Sequence, residues 1–344
     1  MTEFELIYQT FLVQSDMAKG FQAASNLANI ERSIGDDGAV ITPAVGQKLV
    51  ICTDTMVQGR HFAGDWESVE RLAFEIGYKS VAVNLSDLAA MGATPHSILL
   101  AIALPERLAT FAIESENWLA NFAKGLFFAC DTANVALIGG DTTRSDNLVI
   151  TVTAQGFAQK CVYRNTAQVG DDIYVSGTLG DANYALLFPE TDIGKSLVHR
   201  LNMPTPRLSL GQNLVGIATA MIDVSDGLVQ DVGHILSQSS LKGSLNGAIL
   251  GINLDLDSLP TSEPLSQVAI AERLQCQLAG GDDYELLFTV PKGTVLPNFN
   301  VRVTKIGEIT SDKAVKLFYQ NQEVTEQNPF PFVSFPNLAG WSHF

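Results

Sequence analysis

Five short acidic segments punctuate the 344 residues: GDD (35–37), TDT (53–55), GGDTTR (139–144), DVSDG (223–227) and GGDDYE (280–285). Any one of them reads as an ordinary turn or helix cap, since Asp and Gly favour both. Asp226, just before Gly227 and Leu228, suits an N-cap. The set asks for more. In packed α/β proteins ligands collect at the carboxyl ends of strands, and carboxylates gathered there cannot stay ionised without counter-cations. Mg²⁺ supplies that charge and takes carboxylate, hydroxyl, water and phosphate oxygens. Thr53 beside Asp54 is a hydroxyl–carboxylate pair of that kind. Asn84 and Asp87, three apart on a predicted helix, can face one site. The chemistry expected is metal-assisted work on phosphates.

Other chemistries lack their residues. The five histidines form no H-E-x-x-H and pair with no cysteine at zinc spacing. There is no G-x-S-x-G elbow, no G-x-x-x-x-G-K-[ST] loop and no protein-kinase motif set. GTLGDA (177–182) reads as a plain turn before a phosphate loop.

The elements that must carry these segments follow from pattern. Residues 1–30 read as a helix, 48–57 as a buried strand, and Trp66 to Met91 as one helix. A strand over 97–105, a long helix over 106–132, a strand then a turn over 136–144, and a strand over 147–158 complete a first α/β (α+β) domain. Residues 162–172 read as a joint. A strand, Gly-containing turn and helix over 174–187 open the second domain. AMIDVSDGL (220–228) reads as a strand running into a helix, GGDDYELLFTVP (280–291) as a turn running into a strand, and a late strand covers 303–309. The boundaries drawn are 1–160 and 161–344.

Lysine plus arginine number 21 and aspartate plus glutamate 37, giving a formal net charge of −16. Such a chain repels nucleic-acid phosphates, and it lacks a basic stretch for an anionic membrane. The apolar region 80–105 is broken by Asn84, Ser86, Asp87, Pro95 and His96, so a membrane span is not expected. Glu3 and Glu5 argue against a signal peptide. Cys52, Cys130, Cys161 and Cys276 read as reduced thiols, consistent with a cytoplasmic protein.

In order along the chain, GDDGAV (35–40), CTDTMVQGRHF (52–62), YKSVAVNLSDLAAMGATP (78–95), GGDTTR, GDDIYVSGTLGDA (170–182), PTPRLSLG (204–211), IDVSDGL (222–228), GGDDYELLFT (280–289) and IGEI (306–309) resemble the thiamine-monophosphate kinase family. That family is grouped with aminoimidazole ribonucleotide synthetase and selenophosphate synthetase. The resemblance spans nearly the whole chain, and the combination NLSDLAAMGA, GGDTTR and IDVSDGL is specific. It implies an aminoimidazole ribonucleotide synthetase-like fold: an N-terminal ATP/Mg-binding and dimerisation domain, a C-terminal α/β domain, and an ATP site in the cleft between them. It implies a homodimer whose N-terminal strands form a barrel across the dimer. It also implies ATP as co-substrate, several Mg²⁺ ions, and thiamine monophosphate as acceptor, giving thiamine diphosphate as the last step of its biosynthesis.

Carried over position by position, Asp37, Thr53, Asp54, Asp87, Asp141, Asp223 and Asp226 look like the metal ligands. Gly140, Asp141, Arg164 and Ser225 look like nucleotide contacts; Arg164 could instead form an interdomain salt bridge. His61, Asp282 and Trp341 look like substrate contacts, with Trp341 placed to stack on the thiamine rings. Two positions depart from the family pattern. Asp282 stands where Glu is common, one methylene shorter, with Asp283 and Glu285 as neighbours. Cys52 stands where a hydroxyl residue is usual. A phosphate monoester is already ionised near neutral pH, its second pKa being about 6, so it needs no general base. An Asp-rich, His-poor site fits that need. An aminoimidazole ribonucleotide synthetase-like cyclase, which would release inorganic phosphate, is the alternative enzyme. A non-catalytic nucleotide- or metal-binding regulator is the alternative class.

Overall fold

The computed structural model describes residues 10, 29–32, 38–108, 118–243, 250–332, 334, 336, 338 and 340. Nearly all of the helix expected over 1–30, together with Asp37 and Trp341, lies outside the described residues. The chain divides into two compact units, Met1–Leu88 with Ala93–Gln159, and Ala89–Gly92 with Lys160–Phe344. Both are mixed α/β.

In the first unit a small ribbon, β1 (Ile30–Arg32) and β2 (Val40–Ile41), precedes β3 (Lys48–Val57). Then come α1 (Trp66–Arg71), α2 (Ala73–Ala90), β4 (Thr94–Leu104), α3 (Trp118–Ala133), β5 (Ala136–Arg144) and β6 (Val149–Ala158). The four longer strands form an open sheet in the order β3-β6-β4-β5, antiparallel except for β4 with β5. Alternation sets its faces. Ile98, Leu100 and Ile102 of β4 and Ile150, Val152 and Ala154 of β6 are buried on one side. The side chains between them, Thr151 and Thr153 among them, are on the other. Helix α2 is buried almost all round, as a central helix must be. It meets α3 at two glycines. A Cβ on Gly77 would lie 2.0 Å from the Phe122 carbonyl oxygen, and one on Gly125 would lie 1.9 Å from that of Phe74.

Three expectations need correction here. The single helix from Trp66 to Met91 is two, with Leu72 between them. The Leu72 N–H still donates to Ser68 at 2.9 Å and its carbonyl accepts from Ile76 at 2.8 Å, so this is a bend in one hydrogen-bonded path. The helix predicted over 106–132 is, in its described part, a 3₁₀ turn at Glu106–Leu108 and then α3. The segment GGDTTR is not a turn: all of 136–144 is strand, paired in parallel with β4 as far as Leu104 opposite Arg144. The β-branched Thr142 and Thr143 favour that outcome.

The second unit holds β7 (Asp172–Ser176), α4 (Asp181–Leu187), α5 (Asp192–Asn202), α6 (Leu208–Asn213), β8 (Ala220–Asp223) and α7 (Leu228–Gly243). It continues with β9 (Gly251–Asp255), α8 (Ile270–Ala279), β10 (Leu286–Val290), β11 (Val303–Thr310), β12 (Val315–Tyr319) and β13 (Gln322–Val324). Its sheet runs β13-β12-β9-β11-β7-β10-β8. Every β10 residue is buried. Leu287 packs with Leu228, Val232 and Ile235 of α7, while Leu286, Phe288 and Val290 pack with Leu210 of α6 and Leu214. A strand covered on both faces reads as a continuous apolar run, as LLFTV does. Among the described residues no helix is long and apolar enough to cross a membrane.

Candidate active site

The predicted residues fall into two groups, one in each unit. In the first, Thr53 and Asp54 lie within β3 rather than at its end, and Asp141 lies within β5. The reading of these acids as strand-end residues is therefore corrected. The ladder register puts Thr53 in a row with Thr153 and Leu99, and Asp54 in the next row with Val152, Leu100 and Gly140. Asp141 follows, in a row with Ala101, Thr151 and Thr55. Strands β3 and β5 are opposite edges of the sheet, three inter-strand steps apart, or roughly 14 Å. The sheet thus does not bring Asp54 and Asp141 together within one copy of the chain. Thr53 Oγ1 donates to the Val152 carbonyl at 3.1 Å and lies 3.1 Å from Thr153 Oγ1, which fixes its hydroxyl on the open face.

Asp54 is half-buried on the other face, two residues from Cys52. The Cys52 thiol donates to the Asn84 carbonyl of α2 at 3.3 Å. Asp87, half-buried, follows Asn84 by three residues on that helix. Asn84 is fully buried; its amide donates to Ser80 at 3.1 Å, and its Oδ1 has no hydrogen-bond partner. Gly140 has a packing reason to be glycine, because a Cβ there would lie 1.8 Å from the Leu100 carbonyl oxygen. His61 follows β3 in a short loop. The Val57 N–H donates to its Nδ1 at 3.0 Å, which leaves Nε2 as the donor of the neutral ring.

The second unit brings its predicted residues together. Asp223 ends β8 and is buried. Loop 223–227 and loop 280–285 are laced by backbone bonds: Val224 N–H to Glu285 at 2.8 Å, Tyr284 N–H to Val224 at 2.8 Å, and Asp282 N–H to Ser225 at 2.9 Å. A Cβ on Gly281 would lie 2.4 Å from the Ser225 carbonyl oxygen, so the loops touch at that residue. Asp282 itself sits at φ 66, in the left-handed region that Asp tolerates better than most residues. Gly340 is against the same loop, with a Cβ there 2.4 Å from the Asp226 carbonyl oxygen. That contact puts the neighbour of Trp341 at Asp226. Arg164 is exposed and makes no salt bridge to a described residue; its carbonyl accepts from Ser239 Oγ at 3.3 Å.

Asp226 is not the helix cap its position suggests; its Oδ2 accepts from Gln230 Nε2 at 3.1 Å. Asp231, in the first turn of α7, instead reaches back onto the loop: its Oδ2 accepts from the N–H groups of Ser225, Asp226 and Gly227 at 3.0, 3.1 and 3.1 Å. Burial, then the charges of Asp223 and Asp226, push the Asp231 carboxyl up to about 8, against the pull of those amides. Carboxylates set this close keep their charge only beside a counter-cation or give it up by taking a proton. Donor atoms of Asp226, Asp231 and His234 lie within 4.8 Å of one another. The donors in both units are overwhelmingly hard oxygens, the partnerless Asn84 Oδ1 included, and that set fits Mg²⁺.

Sequence reasoning missed Asp231, and it treated Glu285 only as a neighbour of Asp282. Glu285 is fully buried. Arg207 Nε and Nη2 reach its two oxygens at 2.6 and 2.5 Å, Arg200 Nη2 donates at 2.8 Å and Ser176 Oγ at 2.6 Å. Asp283, also buried, accepts from the Gly180 N–H at 2.8 Å, tying the GTLGDA turn to this loop. Burial holds the Asp283 carboxyl well above its ordinary range.

Residues 35–158 match the family model for the AIR synthase related protein, N-terminal domain. The chain is 43% identical to the thiamine-monophosphate kinase of Haemophilus influenzae over 298 residues, covering 82% of this chain and 84% of that protein. It belongs to the thiamine-monophosphate kinase family. The Aquifex aeolicus member is 30% identical over 90% of this chain and 92% of its own. A crystal structure of the Stenotrophomonas maltophilia K279a thiamine-monophosphate kinase superposes with a TM-score of 0.75 at 37% identity, covering 90% of this chain and 96% of that one. A structure named AaThiL complexed with AMPPCP and TMP superposes at 0.70 with 28% identity over 99% and 97% of the two chains. Members of this family are kinases acting on a phosphate acceptor, and the chain is an enzyme of that class.

Proposed function

We propose that the chain transfers the γ-phosphoryl group of ATP to the phosphate of thiamine monophosphate, giving thiamine diphosphate and ADP. The observation that carries this reading is the laced pair of loops, which gathers Asp223, Ser225, Asp226 and Asp282 in one place. The relative bound to AMPPCP and TMP supports the substrate pair.

In this reading Asp37, Thr53, Asp54, Asp87, Asp141, Asp223 and Asp226 hold several Mg²⁺ ions. Asp37 is carried on its motif alone. Magnesium held there would supply the positive charge that offsets the phosphates. The protein's own groups do the rest. The Ser225 hydroxyl, the exposed Arg164 guanidinium and the strand backbone at Gly140 and Asp141 bind the nucleotide. His61 offers its Nε2–H to the acceptor, Asp282 orients it, and Trp341 stacks on its rings. The acceptor oxygen, already ionised, bonds to the γ-phosphorus as the bond to the β–γ bridging oxygen breaks in line and ADP leaves. No side chain has to take a proton, so the site works by placement.

The active form in this proposal is a homodimer. Support comes from the open face of the first sheet, where Leu49 and Ile51 of β3 are 47% and 58% exposed. A barrel across the dimer would cover that face. The four free cysteines suit a cytoplasmic enzyme. A substrate panel tests the reading: with ATP and Mg²⁺, thiamine monophosphate should be consumed and free thiamine should not. Turnover with a formylglycinamidine substrate instead would favour the cyclase.

A further inference from the structure

The sequence reading gave Asp231 no role, and its carboxylate, although within 4.8 Å of the Asp226 and His234 donors, is engaged with the loop that carries the predicted ligands. One of its carboxylate oxygens collects three consecutive amides, from Ser225, Asp226 and Gly227, while its own N–H donates to the Gly227 carbonyl at 2.9 Å. Successive amides converging on one oxygen turn the backbone into a concave nest. Gly227, at φ 129, is the residue that lets the chain make that turn. Asp226 contributes the middle amide of the nest, and Asp223 precedes its first amide by two residues. Asp231 is 2% exposed, so its carboxylate is a fixed internal partner.

We propose that Asp231 is a positioning residue. It folds loop 223–227 from behind, so that Asp223 and Asp226 present their oxygens to one magnesium-bound nucleotide. This rests on the assignment of Asp223 and Asp226 to magnesium made above. The physical reason is preorganisation: outer-shell partners that orient metal ligands typically govern about 10- to 100-fold in metal affinity. What the nest needs is an acceptor oxygen at that reach. An Asn side chain supplies it and an Ala does not.

The test uses the full chain with Mn²⁺ as the metal and a non-hydrolysable ATP analogue, with bound Mn²⁺ followed by electron paramagnetic resonance. Asp231→Ala should weaken Mn²⁺ binding by about 10- to 100-fold. In turnover it should raise the Mg²⁺ needed for half-maximal rate by a similar factor, with kcat recovered at saturating Mg²⁺. Asp231→Asn should stay close to the parent protein in both. Gly227→Ala, which carries no ligand but strains the nest, should weaken binding as Asp231→Ala does, and it decides the matter if Asp231→Ala does not fold. Unaltered Mn²⁺ binding in Asp231→Ala, or in Gly227→Ala, overturns the proposal. So does an Asp231→Asn protein as impaired as Asp231→Ala, which would make the carboxylate a direct ligand. If the parent protein binds no Mn²⁺ with the analogue, the magnesium assignment itself falls.

Discussion

The backbone N–H of Asp282 donates to the carbonyl of Ser225 at 2.9 Å. Two segments 57 residues apart in sequence, one expected to meet nucleotide and metal and one expected to meet the acceptor, thereby share a backbone contact. Whatever fixes one loop fixes the other. The position of Asp282 is a property of the lacing rather than of its side-chain length alone.

Asp282→Ala should therefore raise the KM for thiamine monophosphate with little change in the KM for ATP. Loss of one charge-assisted contact of about 1.5–3 kcal/mol corresponds to an increase of roughly 10- to 100-fold. Steady-state kinetics with each substrate varied in turn checks it. An equal rise in both constants would mean that the loop has come apart rather than that one contact has been lost.

Removal of a metal-holding carboxylate should act on kcat. Asp226→Asn and Asp54→Asn should each lower kcat by about 10²–10³-fold, in the range seen when a group stabilising transition-state charge is deleted. Circular dichroism should show the fold retained. Chelation of Mg²⁺ by excess EDTA should abolish turnover of the parent protein, with recovery on re-addition.

The Glu285 clamp should matter for stability. Arg207→Ala leaves a fully buried carboxylate with one arginine instead of two. Breaking a buried pair in this way costs about 3–5 kcal/mol, which urea unfolding would report.

The same clamp has a pH signature. Burial alone would raise the Glu285 carboxyl, but hydrogen bonds and charge from Arg207, with Arg200 and Ser176 adding to them, outweigh it and leave the group below its ordinary value. A carboxyl lowered in the folded state stabilises the protein above its unfolded value of about 4.3. That contribution is lost as pH falls through the folded value. Below about pH 4.3 the parent protein should lose stability more steeply than Glu285→Gln. Parallel pH–stability curves would contradict this.

Much of the second unit was legible in the sequence. GGDDYELLFTVP reads as a turn running into a strand, and AMIDVSDGL as a strand running into a helix, because local pattern and final environment agree there. Turn chemistry placed Ser225, Asp226 and Asp282 outside regular elements, where they lie, with Asp223 at the end of a strand. The first unit was harder. Asp54 lies inside the strand expected over 48–57, but Asp141 reads as a turn residue by composition and lies within a strand, because pairing with β4 overrides the turn preference of Asp and Gly. Their place on opposite edges of one sheet depends on strand order, which no local pattern encodes. Asp231 escaped because an acid at the fourth position of a helix looks like ordinary first-turn charge. Only its three backbone partners show otherwise. Arg207 and Glu285 are 78 positions apart, and nothing in either segment names the other.

The central claim is a transfer between two phosphates, and label tracking tests it most directly. The protein is incubated with Mg²⁺, thiamine monophosphate and ATP labelled in the γ-phosphoryl group. The label should end as the terminal phosphate of thiamine diphosphate, in amounts equal to the ADP formed. Label released as inorganic phosphate, with thiamine monophosphate unchanged, would contradict it.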